Sequence, residues 1–190
     1  MTSEELMDKL NQIQKLKCET QTMEIKSGEH GCPKHLYDSI SSFSNQDDGG
    51  VIVFGVDEEQ GYKEVGIYDP QDIQKKINEQ CLQMEPVVRP LLTVVKKDGK
   101  SFASAEIPGV DLSDRPCYYK GRGRLKGSYT RVGDSDEPMT EYEIYSYEAY
   151  RKKYQDDVRE VPRAGMTSLD KELLGRYIRL IKAGKRNLSA

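Results

Sequence analysis

Between Arg115 and Arg131 the sequence carries Arg115, Lys120, Arg122, Arg124, Lys126 and Arg131 and no Asp or Glu. Gly121, Gly123 and Gly127 lie among these cations, and Tyr118, Tyr119 and Tyr129 add rings. Glycines let backbone N–H groups approach a ligand, cationic side chains meet phosphates, and tyrosine rings stack on bases. The segment therefore suits a nucleic-acid backbone. If every one of these cations met a phosphate, log affinity would fall against log salt with a slope of about −4 to −5. The competing reading is a solvated hairpin whose charges keep an edge strand from aggregating.

A second constellation is acidic: Glu19, Glu24, Asp57 and Glu58. Carboxylates gathered at one point bind Mg²⁺ or Mn²⁺, and such ions activate water and steady a phosphodiester leaving group. The spacing of Glu19 and Glu24 puts them on opposite faces of an ideal strand. Convergence requires Glu19 to lie before the strand, or a bulge between the two. The alternative is a set of charged turn residues facing solvent.

Two further sets are weaker. Cys18, His30, Cys32 and His35 have zinc-ligand chemistry but lack a closed Cys-x-x-Cys spacing. Gly49-Gly50 resembles a phosphate turn, yet no Lys-Ser or Lys-Thr follows and a strand, not a helix, comes next.

The elements that must hold these residues centre on the run from Leu36 to Asp57. Leu36, Ile40, Phe43 and Ser44 recur at helical spacing, Asn45 stops the helix, Asp47-Asp48-Gly49-Gly50 turns, and Val51 to Val56 reads as a buried strand. Before it, Met1 to Lys17 predicts an amphipathic helix with Leu6, Leu10, Ile13 and Leu16 on one face, capped by Ser3. Thr20 to Lys26 alternates as a half-buried strand. After it, Glu64 to Ile67 predicts a return strand, and Asp69-Pro70 opens a helix with Ile73, Ile77 and Cys81 or Leu82 buried, running to about Met84. Leu91 to Val95 and Ser101 to Ile107 form a hairpin around Asp98-Gly99. Arg115 to Lys120 and Gly127 to Val132 predict short strands, and Tyr142 to Tyr154 a helix. Val161 to Gly165 reads as a linker, followed by a helix with Leu169, Leu173, Tyr177 and Leu180 in one stripe.

This order of hairpins and interspersed helices predicts an α+β fold with a mixed, largely antiparallel sheet. The expected organisation is one domain over residues 1–160 with an N-terminal helix, then a linker and helix over 161–190 leading to a further C-terminal region. At 190 residues the chain can bury a real core. It has no apolar run long enough to span a membrane and no signal-peptide pattern, and the four cysteines show no paired framework. The expectation is a cytoplasmic protein. A net charge of −3 means that any polyanion surface must be local.

In order along the chain, Glu19-Thr-Gln-Thr-Met-Glu24-Ile-Lys26, Ser42-Phe-Ser-Asn45, Gly49-Gly50, Gly55-Val56-Asp57, Arg115-Pro116 and Tyr129-Thr-Arg131-Val-Gly133-Asp-Ser135 resemble the Schlafen-type AlbA-like domain. That domain occurs in bacterial transcriptional regulators and in animal Schlafen proteins. The resemblance spans about Glu19 to Ile144 and implies an α+β fold related to the Alba nucleic-acid-binding proteins. Bacterial members are regarded as DNA-binding or, in an older reading, ATP-binding. Some animal relatives are metal-dependent endoribonucleases acting on structured RNA through three carboxylates. Two of these match Glu19 and Glu24, and the third falls at Asp57 or Glu58. The animal enzymes pair two such modules as a clamp, so cleavage by this chain would require a homodimer or another domain. Ser42 and Ser44 replace small alanines of the family pattern, a change expected to affect packing more than function.

The leading expectation is thus a nucleic-acid-binding regulatory module, on DNA or RNA, contacting the backbone through Arg115 to Arg131. A metal-dependent ribonuclease using Glu19, Glu24 and Asp57 or Glu58 with Mg²⁺ or Mn²⁺ is the alternative. An ATP-binding scaffold is the third.

Overall fold

The computed structural model describes residues 1–151, 165 and 170–186. In chain order the elements are α1 (Ser3–Leu16), β1 (Met23–Lys26), α2 (Tyr37–Ser44), β2 (Gly50–Phe54), β3 (Val56–Asp57), β4 (Lys63–Glu64), α3 (Pro70–Cys81) and β5 (Met84–Glu85). They continue with β6 (Leu91–Lys97), β7 (Lys100–Ile107), β8 (Tyr118–Tyr119), α4 (Gly123–Gly127), β9 (Tyr129–Val132), β10 (Ser135–Pro138), α5 (Glu141–Arg151) and α6 (Lys171–Arg186). The fold is α+β.

The central sheet runs β1-β2-β7-β6, with β1 parallel to β2 and the other neighbours antiparallel. Its β2 strand is apolar throughout because both of its faces are covered. Ile52 and Phe54 pack with Leu36, Ile40 and Phe43 of the α2 region and with Ile73 and Ile77 of α3, while Val53 packs with Leu6, Leu10 and Ile13 of α1. A strand buried on both sides has no reason to alternate. β1 begins at Met23 rather than Thr20, because Thr20 and Met23 close a tight turn with backbone hydrogen bonds. Met23 and Ile25 sit under α1, and Glu24 on the opposite face is also buried.

Local chemistry fixes the boundaries. Thr2, not Ser3, caps α1 through a reciprocal pair with Glu5, and Leu16 is exposed beyond the buried stripe. Asp69 accepts from the N–H groups of Gln71 and Asp72, and Pro70 occupies the first turn of α3. Asp98 and Gly99 both take positive φ, 50° and 76°, which the tight turn joining β6 to β7 requires. Gly55, at φ 107°, separates β2 from β3, and β3 pairs with β4 as a short hairpin. Three elements depart from the sequence reading: α3 ends at Cys81 and Met84–Glu85 becomes β5, paired with β8; α4 stands where a loop was expected; and β10 pairs antiparallel with β9.

The chain divides into two units, Met1–Lys153 and Tyr154–Ala190. The expected linker from Val161, and the end of the helix predicted to reach Tyr154, lie outside the described residues apart from Gly165. Within the second unit α6 exposes Leu173, Tyr177 and Leu180. No helix among the described residues is long and apolar enough to cross a membrane.

Candidate nucleic-acid interface and the buried carboxylates

The two constellations read from the sequence meet at Arg131. Its side chain is 1% exposed. Nη1 lies 2.7 Å from Glu24 Oε2 and 2.9 Å from Asp136 Oδ1, and Nη2 lies 3.5 Å from Glu19 Oε2. Nη2 also points toward the carbonyls of Thr20 and Met23, and the guanidinium carbon sits 5.1 Å from the centre of the Phe43 ring. Burial opposes the charge, but hydrogen bonding to Asp136 and the charges of Glu24 and Asp136 hold the guanidinium above its ordinary pKa. Glu24 Oε2 is close enough for strong attraction but off the donor axis, and neither it nor Arg131 Nε has a well-aligned hydrogen bond. Arg131 is therefore a buried tie between β9, β10 and β1, not a phosphate contact. Asp136 extends the tie to α2, accepting from Ser42 Oγ at 2.5 Å and Ser39 Oγ at 2.7 Å. Ser42 is thus a working part of this network, more than a packing change.

Glu19 and Glu24 converge because Glu19 precedes the strand. Thr20 and Met23 exchange backbone hydrogen bonds across a tight turn, at 3.1 and 3.2 Å, and this folds Glu19 back so that Oε1 accepts from Ile25 N–H at 2.7 Å. Burial, then the neighbouring charges of Glu24 and Glu58, push the Glu19 carboxyl up to about 7, against the opposing backbone hydrogen bond. Asp57 turns away and accepts from the side chain and backbone N–H of Gln60, while Glu58 accepts from Tyr62 Oη at 3.0 Å. These donors do not fit a divalent cation. Arg131 and Lys26 already neutralise Glu24, Asp57 serves its own turn, and no group of three or more metal-ligand side chains assembles among the described residues.

Of the remaining cations in the basic segment, Arg115 is also buried. Its Nη2 lies 2.8 Å from Asp47 Oδ1 and its Nε donates to Val110 O, so it clamps the turn after α2. Lys120, Arg122, Arg124 and Lys126 stay at the surface or half-buried on and around α4. Lys120 is 3.6 Å from Glu85, Arg122 is 3.3 Å from Asp38, and Arg124 pairs with Glu148. Lys126 has no carboxylate partner among the described residues. Pairs this exposed are worth about 0–1 kcal/mol each and can be exchanged for a phosphate.

The tyrosines divide in the same way. Tyr129 is buried and its hydroxyl accepts from Arg122 Nη1 at 2.7 Å, so its ring is unavailable for stacking. Tyr119 stacks on Tyr37 of α2, with ring centres 3.7 Å apart and planes 9° from parallel. Gly121 is needed here, since a Cβ would overlap the Tyr119 ring. Tyr37 and the neighbouring Lys34 were missed in the sequence reading. The run Lys34-His35-Leu36-Tyr37, basic and aromatic at a helix start, was the available signal.

The sequence pattern of the Schlafen AlbA_2 family matches residues 19–140. The chain belongs to this family. Among solved structures, the chain is similar to the N-terminal domain of a RecG-related protein of Nitrosomonas europaea, whose name refers to an ATP-dependent DNA helicase. The identity is 26%, the match covers 71% of this chain and 93% of that one, and the TM-score is 0.54. A Corynebacterium diphtheriae protein shares the fold at 17% identity and a TM-score of 0.50, over 78% of this chain and 29% of that one. No curated protein matches the chain.

The motifs of this AlbA_2 domain then read as parts of one framework. Asn45, buried at the end of α2, donates to the carbonyls of Cys117 and Tyr129 and accepts from Cys117 N–H, joining α2 to the segments on either side of α4. Gly49, at φ 65°, lies so close to Ile107 O and Gly109 N that a Cβ would overlap them, and Gly50 is pressed against the Phe43 ring. The paired glycines of this AlbA_2 domain serve close packing and do not form an open phosphate cradle. The four zinc-type side chains do not gather among the described residues either. Cys18 is exposed after α1, Cys32 packs against the α2–α3 core with its thiol pushed up to about 11 by burial, and His30 and His35 are exposed.

Proposed function

We propose that this AlbA_2 domain is a nucleic-acid-binding regulatory module. Its contact face comprises Lys34, Tyr37, Tyr119, Lys120, Arg122 and Lys126, with Arg124 at the edge. The observation that carries the reading is the parallel stack of Tyr37 on Tyr119 beside exposed cations. Stacked rings supply a flat platform for a base, and the flanking charges supply sequence-independent attraction to phosphates. The name of the RecG-related relative, which refers to a DNA helicase, agrees with this class of partner. Metal-dependent cleavage is not assigned, because Arg131 and Lys26 already meet Glu24 and Asp57 faces Gln60.

The test is a fluorescence titration of labelled DNA and RNA against the wild type and a Lys120→Ala, Arg122→Ala, Lys126→Ala triple variant. The variant should bind every sequence more weakly and show a flatter salt dependence. Equal affinity and equal slope in the two proteins would remove this face from consideration.

A further inference from the structure

Beside the tyrosine stack, the 28–36 segment and α3 form a solvent-open cavity of about 460 Å³ lined in part by Lys34, Tyr37, Lys76, Glu79, Gln80 and Gln83. This falls within the usual range for small-ligand sites, roughly 300–1,000 Å³. One of its walls is fastened in place. Buried Gln80 accepts from Leu36 N–H at 2.9 Å and donates to Pro33 O at 2.9 Å, fastening the segment to α3. The neutral Cys32 thiol adds a nonpolar patch.

Gln83 is held differently. It is exposed, it accepts from Tyr37 Oη at 3.3 Å, and it donates to Glu79 O at 3.4 Å. Both bonds are long and readily exchanged, which leaves an amide with one donating and one accepting end at the cavity wall. Lys34 stands at the rim with no carboxylate partner among the described residues. Lys76, paired with Asp72 at 2.7 Å, adds a second cation, and the Glu79 carboxylate in the lining faces Lys75 at 4.0 Å. A ring wall, an adaptable amide and a cationic rim match the face, edge and phosphate of one nucleotide.

We propose that this cavity takes one unstacked nucleobase of a single-stranded segment, seated beside Tyr37, with the Gln83 amide on its hydrogen-bonding edge and Lys34 on its phosphate. The inference rests on the proposed nucleic-acid reading and adds a substrate class to it. A paired base cannot enter such a cavity, so single strands are preferred to duplex. An amide that both donates and accepts complements adenine.

The experiment uses the whole chain, a short oligo(dA) carrying one 2-aminopurine, and the same strand annealed to oligo(dT). The wild type should bind the single strand more tightly than the duplex, and the 2-aminopurine emission should change on binding. Tyr37→Leu and Gln83→Ala should each lower single-strand affinity, the former by roughly 5- to 150-fold, the range of a lost base–aromatic stack. Both should narrow the preference over duplex. Gln83 is exposed, so its variant reports even if Tyr37→Leu fails to fold. Unchanged emission, or an unchanged preference in Gln83→Ala, overturns the cavity. If Lys126→Ala still weakens binding in that case, the wider nucleic-acid reading survives alone. A wild type that binds neither form overturns both.

Discussion

Arg131 Nη1 lies 2.7 Å from Glu24 Oε2, with the two side chains 1% and 7% exposed. The last cation of the basic segment and the second acid of the Glu19–Glu24 motif are therefore one buried ion pair. Removing one partner from such a pair costs about 3–5 kcal/mol, because the other charge is left without compensation. Arg131→Met should lose stability of that order in urea denaturation. Glu24→Gln should lose less, since Asp136 still faces the guanidinium. A double-mutant cycle should return a coupling energy well above the scatter for distant sites. Simple additivity would mean that the pair is not a functioning tie.

Glu19 gives the protein a pH dependence of definite sign. Its carboxyl rises from an ordinary 4.5 to about 7 in the folded chain, so the native state holds a proton that the unfolded state releases in that interval. The stabilisation from this group is complete below the lower value and is lost as pH rises through the upper one. The linked free energy is about 3 kcal/mol. Glu19→Gln keeps an acceptor for Ile25 N–H and removes the titration. Its stability relative to wild type should climb steadily across that interval and then level off. A constant difference between the two proteins across the same pH range would refute the raised value.

Manganese provides a separate check on the carboxylates. A ligand that binds only the native state raises apparent stability in proportion to the logarithm of its concentration. With Glu24 committed to Arg131 and Lys26, and Asp57 to Gln60, millimolar Mn²⁺ should leave Tm where it is. A concentration-dependent rise in Tm that disappears in Glu24→Gln would show that the cluster opens to admit an ion.

What could be read from the sequence was set by local chemistry. Asp69-Pro70 and Asp98-Gly99 fix a helix start and a tight turn through their own backbone preferences, and both stand where the sequence placed them. The strand at Met23–Lys26 was misjudged because the alternation rule assumes one solvated face, and Arg131 closes the face that carries Glu24. The α4 helix was missed because Gly123-Arg-Leu-Lys-Gly127 carries no apolar stripe. Gly127, pressed on the Tyr119 backbone, is its buried residue. The candidate site suffered most. Arg131 and Arg115 look like free cations when their segment is read alone, since Glu19, Glu24 and Asp47 come from distant parts of the chain.

That division of the cations can be measured through salt. If Lys34, Lys120, Arg122, Arg124 and Lys126 are the phosphate contacts, the slope of log affinity against log salt is about −3.5 for single strands, shallower than the whole basic segment would give. Lys126 has no carboxylate partner among the described residues, so Lys126→Ala should flatten the slope by close to one contact with little change in stability. Arg115→Lys should do the reverse. Lysine cannot reproduce the guanidinium's simultaneous bonds to Asp47 and Val110 O, so stability should fall. Its slope should match wild type, because the buried guanidinium never meets the strand. A slope steeper than the exposed cations can supply, flattened again by Arg115→Lys, would return the buried arginine to the binding surface.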